Sequence, residues 1–166
     1  MHQRVRNYLS AVKQMLPKNF DKAYILDVWS ADINGNFRDL FTDCNYIGID
    51  LWSTKNVDVV CDINDYISDK KFDTIFSIEM LEHDKKWKES LLKMYSLLKK
   101  WWLLIVTAAG IWRREHGTEN YSPWASPMTT NYYRNIDSQD ILWVFPDAVI
   151  EEDKDREDIR FYMIKI

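Results

Sequence analysis

Four short apolar runs in this sequence each lead to an acid. Residues 24–28 carry Asp27, 46–50 end in Asp50, 57–61 are followed by Asp62, and 74–78 by Glu79. A single acid there can cap a helix or stay in solvent, but four in succession make a rim of carboxylates. Asp50 lies 21 positions after Trp29. An acid about 20 positions past the start of a first-strand loop can accept hydrogen bonds from ribose hydroxyls. The fourth run continues as Glu79-Met80-Leu81-Glu82-His83. His83 and the later His116 are candidate bases, since imidazole titrates near neutral pH. Each also has a plainer reading, His83 as a cap or packing residue and His116 as a residue that orders its loop. Glu82 can orient either group or stay solvated.

Glu79, Glu82 and His83 lack the spacing of zinc ligands on a helix and His2 lies near the terminus, so no metal is expected. Cys44 and Cys61, the only cysteines, form no CxxC pair. They read as buried free thiols of a reducing compartment, and nothing around Cys44 suggests a nucleophile. Residues 110–134 lack periodicity over a length that suggests a binding loop, a plain surface lid being the alternative. They carry Arg113, Arg114, His116, Tyr121, Trp124, Tyr132, Tyr133 and Arg134. Paired arginines can recognise an anion, and tyrosines can flank a ring.

A scaffold for these residues is legible in the hydrophobic pattern. Val5, Tyr8, Leu9, Val12 and Leu16 predict a helix over 5–16, ended by Pro17. Strands are expected over 24–28, 46–50, 57–61, 74–78 and 103–107, with a polar loop over 30–36 and a short helix over 37–41. Asp84 is placed to cap a helix whose apolar face is Trp87, Leu91, Met94, Tyr95 and Leu98, with Lys99-Lys100 at its C-terminal end. A short helix over 138–143 follows. Residues 148–150 and 159–166 flank an acidic turn and read as an antiparallel hairpin. The alternation of strands and helices predicts an α/β fold: one Rossmann-like domain over 1–166, doubly wound, with a mostly parallel sheet and a C-terminal antiparallel hairpin. Such sheets bind ligands at the carboxyl ends of their strands, which is where the acids fall.

Composition narrows the class further. With 166 residues, 46% of them hydrophobic and 29% charged, the chain suits one globular domain and not disorder, collagen or a disulfide scaffold. Its longest apolar run, 101–110, is about half of the ~20 residues a membrane span needs. The first residues lead into no apolar stretch, so no signal peptide is expected and the cytoplasm is the expected location. A net charge of −4 and a pI near 5.4 give no basic field to attract nucleic acid. Lys85-Lys86 and Lys99-Lys100 read as solvated helix ends. The oligomeric state is not readable.

The segments Leu26-Asp27-Val28, Gly48-Ile49-Asp50, Cys61-Asp62, Glu79-Met80-Leu81-Glu82-His83 and Leu97-Leu98-Lys99-Lys100 resemble successive motifs of class I S-adenosylmethionine-dependent methyltransferases. The resemblance covers residues 24–108, and the terminal hairpin is similar to the family's last two strands. Glu115-His116-Gly117-Thr118, Ser126-Pro127 and Tyr132-Tyr133-Arg134-Asn135 are similar to a less characterised branch. The resemblance implies S-adenosylmethionine as cofactor and methyl transfer to a nucleophilic atom of an unidentified acceptor, expected to be a small molecule. It implies that the backbone after Asp27, through Trp29, Ser30 and Ala31, passes under the methionine part. Asp50, with Leu51 beside it, would hold the ribose hydroxyls, Asp62 and Ile63 would read the adenine, and Ser77 and Glu79 would line the pocket near the sulfonium. Two other readings remain open: a methyltransferase-fold binding module without catalysis, and a nicotinamide-dependent oxidoreductase. The second lacks a GxGxxG loop.

One departure is systematic. The chain has 8 Trp and 4 Gly, where about twelve Gly are usual at ~7%. The family places glycine after Asp27-Val28, where the backbone nears the cofactor, and a glycine pair before the fifth strand; here stand Trp29 and Trp101-Trp102. Trp52, Trp112 and Trp143 also occupy places where glycine is natural, whereas Trp87 lies on a core face. Some bacterial codes read UGA as glycine and others as tryptophan, which predicts UGA at positions 29, 52, 101, 102, 112 and 143, and UGG at 87. Genuine tryptophans are the alternative; an indole at 29 would then obstruct the cofactor loop.

Overall fold

The computed structural model describes residues 3–33, 35–153, 155 and 157–166. Met1, His2, Asn34 of the polar loop, and Lys154 and Arg156 of the acidic turn lie outside the described residues. The chain runs α1 (Gln3–Met15), β1 (Tyr24–Val28), β2 (Asn45–Asp50), β3 (Val59–Val60), β4 (Phe72–Ile78), α2 (Trp87–Leu97), β5 (Leu98–Ala109), α3 (Ser138–Val144), β6 (Val149–Glu152) and β7 (Asp158–Ile164). The strands form one sheet in the order β3-β2-β1-β4-β5-β7-β6. β1 to β5 pair in parallel, and β7 inserts antiparallel between β5 and β6.

Period-2 alternation along the central strands divides their side chains between two cores. Leu26 and Val28 of β1, Ile75 of β4, and Leu104 and Val106 of β5 meet Trp87, Leu91 and Met94 of α2 and Ile141 of α3. Their neighbours Ile25, Phe76, Leu103 and Ile105 meet Val5, Tyr8, Leu9 and Val12 of α1 on the other face. The sheet is therefore covered on both sides, as a buried parallel sheet must be. No helix among the described residues is long and apolar enough to cross a membrane.

Several boundaries differ from the sequence reading, each for a local reason. The helix expected over 37–41 is a single 3-10 turn, Arg38–Leu40. β3 keeps two residues of the run 57–61, because Asp58 turns back on β2. Its backbone N–H donates to the Gly48 carbonyl (2.8 Å), and its carboxylate accepts from the Gly48 N–H (2.7 Å). Gly48 is required there, since a Cβ would lie 2.2 Å from the Asn56 carbonyl oxygen. Asp84 does not cap α2, whose N-cap is Lys86. Instead it accepts from the Lys86 N–H (2.7 Å) and the Ser90 hydroxyl (2.5 Å), bracing the turn before the helix. α2 ends at Leu97, so Lys99-Lys100 belong to β5 and not to the helix end. Cys44 and Cys61 are half-buried free thiols rather than buried ones.

β5 contains a bulge. Phe72 of β4 faces Leu98, but Thr74 faces Leu103, so three extra residues of β5 are accommodated within 99–102. Trp101 sits there at φ 68°, 68% exposed. Trp29, directly after β1, has φ 77°. These are left-handed values at which a bulky side chain is strained and glycine is not. Trp52, Trp102, Trp112 and Trp143 are not among the residues with positive φ.

Candidate functional site

The strand order reverses between β1 and β4, and ligand crevices of open α/β sheets form outside the carboxyl ends of the strands at such a point. Two cavities open there, of about 190 and 450 Å³. Trp29 and His83 line both. Their rings lie nearly parallel, with centroids 6.4 Å apart, and form a common wall.

The smaller cavity gathers Asp50, Leu51, Asp62 and Ile63, with Ile49 and Met80 as apolar walls. Asp50 is fixed from two directions: one oxygen accepts the Ala31 N–H (3.0 Å), the other the Trp52 N–H (3.1 Å). Burial pushes its carboxyl above the usual range, and those backbone donors oppose the shift. The Leu51 backbone N–H also bears on the carboxylate, whose two oxygens still keep acceptor capacity for a ligand. Asp62 turns one oxygen to the backbone and side-chain amides of Asn64 (2.8 and 3.0 Å).

The larger cavity is lined by Asp27, Ser30, Ala31 and Glu79, and by Arg113, Arg114 and His116 of the long loop. Asp27 accepts the Tyr46 hydroxyl at 2.5 Å, and burial pushes its pKa up to about 7. Glu79 has φ 55°, a strained backbone value that turns the chain off β4. Its Oε1 accepts from the Thr107 hydroxyl (2.8 Å), and Oε2 lies 4.0 Å from Arg113, which also pairs with Asp158. Burial raises the Glu79 pKa, and the negative charge of Asp158 adds to the rise. Ser77 lines neither cavity; it is buried, its Oγ without a hydrogen-bond partner.

The 3-10 turn Leu81–His83 then drives two polar side chains inward. Glu82 is fully buried, and neither carboxylate oxygen makes a well-formed hydrogen bond with the described residues. Desolvation, then the charge of Glu79, pushes its pKa well up. His83 is 3% exposed with Nδ1 unpartnered, and burial lowers its pKa to about 4. His116 meets it edge-on, centroids 5.1 Å apart, and Tyr133 packs against both rings. The candidate ligand atoms of Glu82, His83 and His116 lie within 4.8 Å of one another.

His83 and His116, 33 positions apart in sequence, meet because the loop folds back. Gly117 makes this possible: at φ 66°, a Cβ there would sit 2.6 Å from the His83 ring. Arg134 completes the fold-back by donating its backbone N–H to the Glu82 carbonyl (2.8 Å). Sequence reasoning named Tyr133 among the loop residues able to flank a ring, and missed Gly117 as a site-building residue. A glycine next to a candidate histidine, in a chain with only four, was the available signal.

No curated protein sequence matches the chain significantly. Solved structures do, at low identity. An S-adenosylmethionine-dependent methyltransferase from Clostridium acetobutylicum ATCC 824 superposes with a TM-score of 0.66 at 13% identity, covering 94% of this chain and 89% of that one. The N-methyltransferase NodS from Bradyrhizobium japonicum WM9, solved with S-adenosyl-L-homocysteine, gives 0.63 at 13%, covering 96% and 86%. The 1,6-didemethyltoxoflavin-N1-methyltransferase of Burkholderia thailandensis, solved with 1,6-didemethyltoxoflavin and S-adenosylhomocysteine, gives 0.65 at 12%, covering 94% and 75%. At these identities the likeness establishes the fold. The profile described as "Methyltransferase domain" matches residues 1–148, nearly the whole domain from α1 to the start of the closing hairpin, and the chain belongs to that family.

Proposed function

We propose that this protein transfers a methyl group from S-adenosylmethionine to a small-molecule acceptor. The observation that carries the proposal is the pair of cavities at the switch point, with the Asp50 carboxylate in one and the Glu79–His83–His116 wall in the other. The smaller cavity fits an adenosine: a carboxylate with spare acceptor capacity for ribose hydroxyls, Asp62 and Ile63 at the far end, and apolar Ile49, Leu51 and Met80 for the base. The larger cavity, with Ser30, Ala31 and Glu79, is where the methionine part and the acceptor would meet. The cofactor supplies an electrophilic methyl carbon, and the protein supplies alignment and exclusion of water. His83 and His116 form the acceptor side, with Glu79 between them and the strand ends. Arg114, also in the lining, favours an acceptor bearing negative charge, whereas Arg113 is held by Asp158 and Glu79. Structural neighbours solved with small molecules, such as the toxoflavin methyltransferase, support that acceptor class.

Trp29 favours a second reading, a binding module without catalysis. Its indole stands in the wall between the cavities, across the path a cofactor occupying both would take. Calorimetry with S-adenosylhomocysteine on the Trp29 protein and on Trp29→Gly separates the two. Methyl transfer expects binding by Trp29→Gly, and further loss with Asp50→Ala in that background. Absence of binding by both proteins leaves the binding module.

A further inference from the structure

We propose that Glu82, His83 and His116 bind one divalent transition-metal cation that presents open coordination positions to the larger cavity for an anionic oxygen of the acceptor.

The starting point is an unpaid electrostatic debt. Glu82 is fully buried and both its oxygens lack a well-formed hydrogen bond, while Nδ1 of the neighbouring His83 is buried and equally unpartnered. Buried polar atoms are almost always paired, and a buried carboxylate is among the costliest groups to leave short of partners; the Ala109 backbone and the charge of Arg113 only partly offset that cost for Glu82. A proton on Glu82 would relieve its charge but could serve only one of the unpartnered acceptors near it, His83 Nδ1 or Glu79 Oε2. A cation satisfies the Glu82 oxygens and the imidazole nitrogen together. Oε2 of Glu79 is a further buried acceptor without a hydrogen bond. Glu82 and Glu79 carry two carboxylates, and Arg113, shared between Glu79 and Asp158, offsets only part of that charge, so the pocket favours a cation.

The donor set selects the ion. Two imidazoles with one or two carboxylates match Mn²⁺, Fe²⁺, Co²⁺ or Zn²⁺, whereas Mg²⁺ and Ca²⁺ prefer oxygen throughout. The ligand atoms, within 4.8 Å of one another, stand somewhat wider than the edges of about 3–4 Å that bonds near 2.1 Å produce. Small rotations of Glu82 and of the His116 loop close the difference. Glu82 lies beneath the site, and His83, His116 and Glu79 line the larger cavity, so the uncovered coordination positions face the acceptor.

This inference rests on the methyl-transfer reading for its purpose but not for its test. Mn²⁺ is titrated into the metal-free full chain without cofactor, followed by electron paramagnetic resonance. One bound Mn²⁺ per chain is expected, displaced by Zn²⁺ and not by a hundredfold excess of Mg²⁺. Glu82→Gln and His116→Ala should each weaken binding at least tenfold, with unchanged circular dichroism, and Glu119→Gln on the same loop should bind as the parent. His116 lies in a loop outside the packed core, so its variant tests the site even if Glu82→Gln misfolds. Absence of Mn²⁺ binding, parent-like binding by His116→Ala, or equal competition by Mg²⁺ would overturn the proposal. Loss of Mn²⁺ binding with homocysteine-product binding intact fails the cation site alone; the reverse pattern fails methyl transfer alone.

Discussion

Two turns of this molecule impose the same backbone demand in opposite surroundings. Trp29 follows β1 at φ 77°, in the wall between two cavities and against a buried histidine. Trp101 sits in the β5 bulge at φ 68°, with its indole mostly in solvent. Both carry a left-handed conformation that costs a non-glycine residue about 1–2 kcal/mol. At the bulge that strain is the whole effect. At the β1 turn the side chain also lines both cavities. The same exchange to glycine should therefore act on stability at one turn and on binding at the other.

The largest expected difference between the two turns comes from what stands beneath the first. Asp27 is buried beside Tyr46, and desolvation pushes its pKa up to about 7. The folded state thus holds this proton more tightly than the unfolded chain, whose carboxyl titrates near 3.9. Stability from this group is full below about pH 4, falls as pH rises toward 7, and is level above that. A shift of about three units corresponds to at most about 4 kcal/mol across the window. Denaturant unfolding between pH 4 and 7 should show the slope, and Asp27→Asn should reduce it, leaving the share that the buried Glu79 and Glu82 contribute with the same sign. An unchanged slope in Asp27→Asn would remove the buried acid from the account of this turn. The β5 bulge should contribute nothing to it, so Trp101→Gly should leave the slope as it is.

Next in size is the exchange at position 29. Trp29→Gly should raise affinity for S-adenosylhomocysteine at least tenfold, about 1.4 kcal/mol, as the shared wall loses its indole. Calorimetry reads this directly. Equal affinity in both proteins would mean that the indole swings clear, and the two turns would then differ only in exposure.

Sequence made this contrast partly visible. The runs around Leu26, Ile49 and Ile75 announced a parallel sheet because strands buried on both faces are apolar nearly throughout. Trp87, Leu91 and Met94 announced α2 by their spacing. The positions of Trp29 and Trp101 stood out against a family pattern, while their φ values needed the backbone. β3 was overestimated because Asp58 spends its backbone and its carboxylate on Gly48, a contact between strands that a local pattern cannot contain. The bulge was invisible for a similar reason: it is defined by register against β4. In the site, the acids at the strand ends were legible from spacing. The meeting of Glu82, His83 and His116 was not, since it depends on a fold-back licensed by Gly117 and fastened by the Arg134 backbone.

Trp101→Gly is expected to stabilise the protein by about 1–2 kcal/mol, a rise of several degrees in Tm for a chain of this size, with product binding unchanged. A fall in Tm would mean that the exposed indole shields the bulge. The coding triplets bear on the same point: UGA at 29 and 101 with UGG at 87 would make glycine the residue the backbone was built for. UGG at 29 and 101 would make the strain native.

The smallest effect provides the control for the comparison. Trp143 lies within α3 without positive φ, and the Lys88 ammonium stands 4.0 Å from its ring centroid. Glycine there adds helix-backbone entropy and removes a cation–π contact across to α2, so Trp143→Gly should destabilise by about 1 kcal/mol. Thermal unfolding of the two single variants would then give shifts of opposite sign for the same chemical exchange. Shifts of the same sign would mean that loss of indole surface, and not backbone conformation, governs both positions, and the left-handed φ at Trp101 would lose its explanatory role.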